Sequence, residues 1–335
     1  MALILLLIAL RGRTFWRLWR RETANQAGFE IAKRRVQEEG NRMFSLSPEQ
    51  LRQALMQENY FLDASTTLKL WAYLRQGKPV GLRGEPGIGK SQLPESMAKA
   101  LGLAFFDVEC HSQLEAEEIG VSWNGFRQII DAQTRSAGAA GSADLYTMEY
   151  LNSTPLLESL LSEQPTVIRV DEVDKLNEHT SNFFLRYLDR KELIVHNLAG
   201  GKKAIQARSP LFIFLTSNEY KRLDPAFMRR ICWIDLQFPS EEVMAQILQK
   251  AVDIPADFAA RVARLLVQLR SLSLEKKPAI SEGIEWCRAL VDVSDGQITR
   301  EALEVTIGFL AKYKEDEGLI KEALQRWYDH FGRVA

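Results

Sequence analysis

The segment Gly84-Glu85-Pro86-Gly87-Ile88-Gly89-Lys90-Ser91 decides the fold, because it matches the pattern GxxxxGK[ST] in full. An apolar run precedes it at residues 79–83 and an amphipathic segment follows at residues 91–101, which is the strand–loop–helix context of a phosphate loop. Its glycines let backbone N–H groups surround a phosphate, and the helix N-terminus adds partial positive charge. We predict that the segment from Glu85 to Ser91 binds ATP, with Lys90 on the β- and γ-phosphates and Ser91 on Mg²⁺.

A second polar cluster follows the apolar strand at residues 166–170, where Asp171 and Glu172 are adjacent. An aspartate at a strand's carboxyl end can hold Mg²⁺, and a neighbouring glutamate can polarise an attacking water. We therefore predict Asp171 as a metal-site and nucleotide-site residue and Glu172 as the general base. Arg169 is unusual in a central parallel strand, and it must either pair with an acid or lie at an edge.

Further along the chain, another apolar strand ends at Asn218, whose amide could orient the attacking water or contact the γ-phosphate. An ordinary polar residue at a strand end is the alternative. Shortly afterwards a short helix is predicted to end at Arg229 and Arg230. Arginines there can offset the helix dipole, or one can act as a finger that stabilises the transition state across a subunit boundary.

Composition bounds the class of protein. The chain has 335 residues, 46% of them hydrophobic and 26% charged, which excludes wholesale disorder and a polytopic membrane protein. The 43 Lys and Arg residues nearly balance 44 Asp and Glu residues, so no overall attraction to nucleic acid is expected. Three widely separated cysteines argue against a disulfide scaffold or a structural zinc site and favour a reducing, cytoplasmic location.

The first 46 residues differ from the remainder. Residues 1–42 carry nine Arg or Lys against four Glu, and the apolar run 1–10 is too short to span a bilayer as a helix. The basic aromatic stretch 13–21 could lie on an anionic membrane. The alternative, which we favour, is a loosely attached leader or a translation start placed too early, with Met43 as the actual start.

The remaining chain divides into two predicted domains. A capping box begins a helix at Ser47, and short apolar runs then alternate with amphipathic stretches up to residue 239, which predicts a parallel sheet flanked by helices. Residues 240–335 show helical periodicity only, in five segments, 241–252, 256–273, 281–293, 298–314 and 318–331. The predicted fold is therefore an α/β nucleotide domain at 47–239 followed by a small helical lid.

Four stretches of this sequence occur together in one family. They are RGEPGIGKS (83–91), VIRVDEVDK (167–175), FLTSNEYKRLDPAFMRRICW (214–233) and KPAISEGIEWCRAL (277–290). In them, residues 47–335 resemble the AAA+ ATPases, most closely the MoxR-like branch that works with von Willebrand factor A (VWA) domain proteins. The resemblance implies Walker A residues Lys90 and Ser91, Walker B residues Asp171 and Glu172, and sensor 1 at Asn218. It implies Arg230 as the arginine finger, with Arg229 as its neighbour or substitute.

The resemblance also implies an insertion at Ile119 to Ser153 and a hairpin at Glu192 to Arg208, both on the face of a ring that touches a client protein. One departure concerns the lid. Many AAA+ proteins carry a second sensor arginine near residues 278–281, and this sequence has none there. Lys277 and Arg288 are the nearest basic residues, and neither is a clear replacement.

These observations predict a Mg²⁺-dependent ATPase that forms a ring, expected to be a hexamer, and remodels or activates a client, for which a VWA-domain protein is a candidate. A DNA-associated AAA+ motor or clamp-loader relative is the main alternative, and the near-zero net charge disfavours it. A small-molecule kinase would leave Glu172, Asn218 and the two arginines without roles. A non-hydrolysing nucleotide switch is disfavoured by the intact Asp171–Glu172 pair.

Overall fold

The computed structural model describes residues 46–136, 144–198, 201–294 and 297–331. A five-stranded parallel sheet with the strand order β2-β3-β6-β1-β7 forms the centre of the first part. The predicted α/β fold with a parallel sheet and a helical C-terminal region is confirmed. The strands are β1 Val80–Arg83, β2 Ala104–Glu109, β3 Thr166–Asp171, β4 Glu192–Leu198, β5 Gly201–Gln206, β6 Leu211–Ser217 and β7 Cys232–Asp235.

The strand β6 lies at the centre of the sheet and is its most deeply buried strand. All of its residues from Leu211 to Ser217 are buried, and it lies between β3 and β1. A parallel strand covered by helices on both faces is expected to be apolar, and β6 is apolar from Leu211 to Leu215, with the polar residues Thr216 and Ser217 at its carboxyl end. The polar residues that follow β3 and β6 therefore emerge side by side at the carboxyl edge of the sheet.

Helices cover the sheet, and their starts follow the sequence signals. The Ser47 hydroxyl accepts a hydrogen bond from Gln50 N and the Gln50 side chain accepts one from Ser47 N, so the predicted capping box is confirmed. The α-helices of this part are Pro48–Gln57, Ala64–Arg75, Gln92–Leu101, Ala116–Ile119, Gly125–Ser136, Pro155–Leu161, Glu178–Arg190 and Pro225–Met228. Two 3₁₀ turns accompany them, at Met148–Tyr150 and Val173–Lys175.

The predicted hairpin and the predicted insertion can both be located in the structure. Strands β4 and β5 pair antiparallel outside the main sheet, which confirms a hairpin at Glu192 to Arg208, and residues 199–200 of its turn lie outside the described residues. The insertion Ile119 to Ser153 contains the helix Gly125–Ser136. Residues 137–143 of the insertion lie outside the described residues.

Helices alone follow β7 within the described residues. They are Glu241–Val252, Ala256–Arg270, Ile280–Ser294, Arg300–Val305 and Lys314–Phe331, with a 3₁₀ turn at Ile307–Phe309. We call residues 240–331 the lid. Its helices enclose their own apolar core around Trp286, which is fully buried. The fourth predicted helix, 298–314, is broken after Val305.

Thr306 accounts for that break. Its buried hydroxyl accepts a hydrogen bond from Trp286 Nε1 at 2.9 Å and donates one to Ala302 O at 2.7 Å. Its backbone leaves helical geometry at φ −94° and ψ 2°. The apolar periodicity of the sequence continues across Thr306 and therefore predicts one helix. It does not contain the hydrogen bond from Trp286, on the helix Ile280–Ser294, that holds the Thr306 side chain.

None of the helices in the described part of the chain is long and apolar enough to cross a bilayer. The first 45 residues, to which the leader predictions apply, lie outside the described residues.

Candidate active site

The predicted phosphate loop connects the end of β1 to the helix Gln92–Leu101. Gly87 and Gly89 have φ values of 77° and 91°, in the region that favours glycine. A Cβ atom on Gly87 would lie 2.3 Å from Ala279 Cβ in the lid. The loop therefore requires glycine at this position both for its backbone conformation and for the close approach of the lid.

Lys90 is directed into the loop. It is 5% exposed, and its Nζ donates hydrogen bonds of 2.8 Å to the carbonyl oxygens of Gly84 and Glu85. Burial lowers the pKa of Lys90, and the nearby carboxylates, Asp171 foremost, oppose that effect. A desolvated ammonium held by main-chain carbonyls is suited to an anionic ligand, because a phosphate supplies charge that those carbonyls lack.

Ser91 and Asp171 meet between two elements. The Ser91 hydroxyl makes no capping bond to its own helix and instead donates to Asp171 Oδ1 at 2.9 Å. The two oxygens are hard donors of the type that Mg²⁺ prefers, and Mg²⁺ commonly takes one or two protein oxygens beside substrate phosphates. The pair fits a Mg²⁺ ion that would counter phosphate charge next to Lys90.

Thr216 is a site residue that the sequence analysis misses. Its hydroxyl, on β6, accepts a hydrogen bond from Glu172 N at 2.9 Å and donates one to the Asp171 carboxylate. One side chain thus fixes both acids at the end of the neighbouring strand β3. The only signal in the sequence is the position of Thr216 two residues before Asn218, on the same face of the strand.

Glu172 and Asn218 lie together at the carboxyl edge of the sheet. Asn218 Nδ2 donates to Glu172 Oε1 at 2.9 Å, and the Lys175 ammonium forms an ion pair with the other carboxylate oxygen. Glu172 has a left-handed backbone, with φ 56° and ψ 47°. A carboxylate held at both oxygens at the mouth of the loop can accept a proton from a water that attacks a bound phosphate.

Arg169 pairs with an acid, which decides between the two alternatives left open above. Its Nε donates to Asp107 Oδ1 at 2.7 Å across the β2–β3 register, and its Nη1 donates to Ser91 O at 2.5 Å. The arginine therefore links two strands to the end of the phosphate loop.

Arg229 and Arg230 do not join this site within the same chain. Arg230 Nε donates to Asp189 at 2.6 Å, and its Nη1 donates to Ala226 O at 2.5 Å. Both arginines line a separate cavity of about 370 Å³ at the amino ends of β1 and β6. The loop that contains Lys90 follows the carboxyl end of β1, and Asp171 is the last residue of β3, so both lie at the opposite edge of the sheet.

A larger cavity of about 850 Å³ lies between the loop and the lid. The stretch Tyr60 to Leu62 lines it, together with Ile280 and Arg288 from the lid. Tyr60 also belongs to the core, because it is 7% exposed and its hydroxyl donates to Gly89 O at 3.1 Å. Burial raises the pKa of Tyr60, which keeps the hydroxyl a donor. The cavity is large enough for a nucleoside beside the phosphate loop.

Comparison with known proteins agrees with this geometry. Residues 79–231 match the family model of the AAA domain (dynein-related subfamily). The denitrification regulatory protein NirQ of Pseudomonas aeruginosa is 25% identical over 240 residues, which is 70% of this chain and 83% of NirQ. The uncharacterized protein YojN of Bacillus subtilis is 23% identical over 231 residues, covering 66% of this chain and 68% of YojN. These matches support an AAA+ ATPase.

Among solved structures, the RuvB Holliday junction branch migration motor of Thermotoga maritima is similar at a TM-score of 0.43 and 16% identity, covering 76% of this chain and 69% of RuvB. Similarity at this level is too distant to support an argument about activity.

Proposed function

We propose that this chain is a Mg²⁺-dependent ATPase of the MoxR-like type, which hydrolyses ATP to ADP and phosphate in order to remodel or activate a partner protein. The match of residues 79–231 to the AAA domain model supports this proposal. One observation carries the proposal. A continuous set of hydrogen bonds joins the phosphate loop to both acids and the predicted sensor, through Ser91, Asp171, Thr216, Glu172 and Asn218. This set of hydrogen bonds connects the loop proposed to bind phosphate, the oxygen ligands proposed for Mg²⁺ (Ser91 and Asp171) and the proposed general base Glu172.

Phosphate release in the presence of ATP tests the activity. Hydrolysis is expected with Mg²⁺ and should be lost when a chelator removes the metal. It should return on addition of Mg²⁺, because Ser91 and Asp171 fit a hard cation. Hydrolysis at an unchanged rate in the chelator would contradict the metal assignment, and ATP binding without hydrolysis in Mg²⁺ would favour a nucleotide switch.

We assign Arg230, with Arg229 beside it, to the active site of a neighbouring subunit. The arginines lie at the opposite sheet edge from their own phosphate loop, so a ring, expected to be a hexamer, is the arrangement that would give them a role in hydrolysis. Arg230 is held by Asp189 on the helix Glu178–Arg190, which fixes the direction of its side chain.

The partner is proposed to be a client protein in the cytoplasm, with a VWA-domain protein as the candidate. NirQ is named as a denitrification regulatory protein, and a regulatory role in a relative is compatible with the proposed action on a partner. A Glu172→Gln form should bind ATP and release it slowly, so it should retain the client during purification. Capture that depends on ATP, and is lost in the same form when it also carries Lys90→Ala, would identify the client. Equal capture with and without ATP would contradict nucleotide-driven remodelling.

A further inference from the structure

Arg270 crosses from the lid to the phosphate loop. It lies at the end of the helix Ala256–Arg270, and its guanidinium forms an ion pair with Glu85 of the loop. The same group donates to Pro278 O at 2.5 Å and stacks on the Phe238 ring at 3.9 Å from the ring centroid. Its side chain is only 11% exposed, so the guanidinium is both oriented and largely desolvated.

The ion pair lies beside Asn218, which also lines the larger cavity that contains Lys90 and Asp171. Arg270, Glu85 and Asn218 line one cavity of about 440 Å³, which also borders Gly84. Glu85 has a second connection, since its carbonyl oxygen accepts a hydrogen bond from Lys90. A phosphate that attracts Lys90 would break its hydrogen bond to the Glu85 carbonyl. Glu85 is also the residue whose carboxylate pairs with Arg270.

We propose that Arg270 is the residue through which the lid contacts the terminal phosphate of a bound nucleoside triphosphate and responds to it. The inference rests on the proposed ATPase function. Glu85 neutralises the guanidinium in the described conformation, and a terminal phosphate offers it more negative charge and more acceptor oxygens than one carboxylate. Arg270 would exchange Glu85 for phosphate and move the end of its helix toward the loop.

A purely structural ion pair between lid and loop predicts different behaviour. Breaking such a pair from either side should weaken nucleotide binding, or leave it unchanged, to the same extent for ATP and ADP. An exchange between Glu85 and phosphate instead predicts that removing Arg270 and removing the Glu85 charge change the affinity for the triphosphate in opposite directions. Loss of Arg270 should weaken triphosphate binding, and loss of the Glu85 charge should strengthen it through Arg270.

The test is the affinity of the full chain for a non-hydrolysable ATP analogue and for ADP, measured by competition with a fluorescent nucleotide in Mg²⁺. Arg270→Gln should weaken analogue binding by about tenfold or more, as expected for one charge-assisted hydrogen bond, and ADP binding much less. Arg270→Lys keeps the charge without the planar fork and should fall between. Arg264→Gln is the matched control, because Arg264 lies on the same helix and pairs with Glu241 inside the lid at 2.9 Å.

The double variant separates exchange from simple charge repulsion. Glu85→Gln should strengthen analogue binding in the wild-type background and not in the Arg270→Gln background. A gain that persists without Arg270, or equal losses for both nucleotides in Arg270→Gln, would overturn the inference while the ATPase proposal stands. If Arg270→Gln fails to fold by circular dichroism, Arg270→Lys and Glu85→Gln decide by the same criteria. Wild-type protein that binds neither nucleotide would overturn the ATPase proposal, and this inference with it.

Discussion

Lys90 is a desolvated ammonium whose two hydrogen bonds go to carbonyl oxygens of its own loop. Lys90→Ala should abolish ATP binding, because it removes the positive charge offered to the phosphates, which the carbonyl oxygens of the loop cannot replace. The fold should persist, since the loop packs through its glycines and Ile88 rather than through the ammonium. Fluorescent-nucleotide binding and circular dichroism measure the two effects, and near-normal binding by folded protein would reject the phosphate-loop assignment.

Glu172 separates catalysis from binding. Glu172→Gln keeps the shape and the Asn218 hydrogen bond but removes the base, so turnover should fall by about 10²- to 10⁴-fold while ATP affinity stays near normal. Steady-state phosphate release and nucleotide binding are compared on the same preparation. A parallel collapse of affinity would make Glu172 a metal ligand or a structural group instead.

The residues that the sequence predicts at the site are those with a motif. Lys90, Ser91 and Asp171 come from patterns that encode their position on a loop or a strand end. Thr216 has no such pattern, because a threonine in a buried strand is already explained by β-propensity. Its role depends on the neighbour of β6, and that neighbour is set by the strand order of the whole sheet.

At the scale of elements, the pair between Arg169 on β3 and Asp107 on β2 joins two adjacent strands. Asp107→Asn should lower the free energy of unfolding by about 1–3 kcal/mol, because Arg169 is only 16% exposed and would lose its carboxylate partner. Urea unfolding followed by circular dichroism measures the change.

The control for that prediction is an exposed pair on the helix Lys314–Phe331. Arg326 and Glu322 form an ion pair at 2.7 Å with side-chain exposures of 76% and 64%, so Glu322→Gln should cost about 0.5 kcal/mol or less. An Asp107→Asn cost no larger than this control would mean that Arg169 is solvated or finds another acceptor.

Elements follow from the sequence where one periodicity dominates. The strand β6 and the helix Glu241–Val252 lie where the apolar patterns predict them. The helix predicted at 298–314 is broken because Thr306 is held by Trp286, a contact that the local pattern does not contain. The family resemblance predicts a hairpin at Glu192 to Arg208, but not that β4 and β5 pair outside the main sheet, since the apolar pattern of a strand does not say which sheet it joins.

At the scale of the whole molecule, the position of Arg230 predicts an active site shared between subunits. Arg230→Ala should bind ATP and hydrolyse it poorly, since removal of a finger costs about 10³- to 10⁵-fold in other systems. Mixing Arg230→Ala subunits with Glu172→Gln subunits should restore part of the activity. Some interfaces in such mixtures combine an intact Glu172 with a neighbour's intact Arg230.

Phosphate release across mixing ratios measures the rescue, with assembly followed by light scattering. Arg229→Ala, taken through the same mixtures, distinguishes the finger from its neighbour. Assembled mixtures without rescue at any ratio would show that Arg230 acts within its own chain or only in folding, and the reason to expect a ring would be lost.

The Ile280 amide of the lid donates a hydrogen bond of 3.1 Å to the Gly87 carbonyl of the phosphate loop. The lid therefore cannot swing away without breaking a bond to the loop that surrounds the phosphates. Escape of spent ADP and opening of the lid should then share one kinetic barrier, and the dwell time of ADP should equal the waiting time for opening. If the chain is the ATPase proposed above, release of ADP rather than cleavage of the phosphate bond would then limit its rate of turnover.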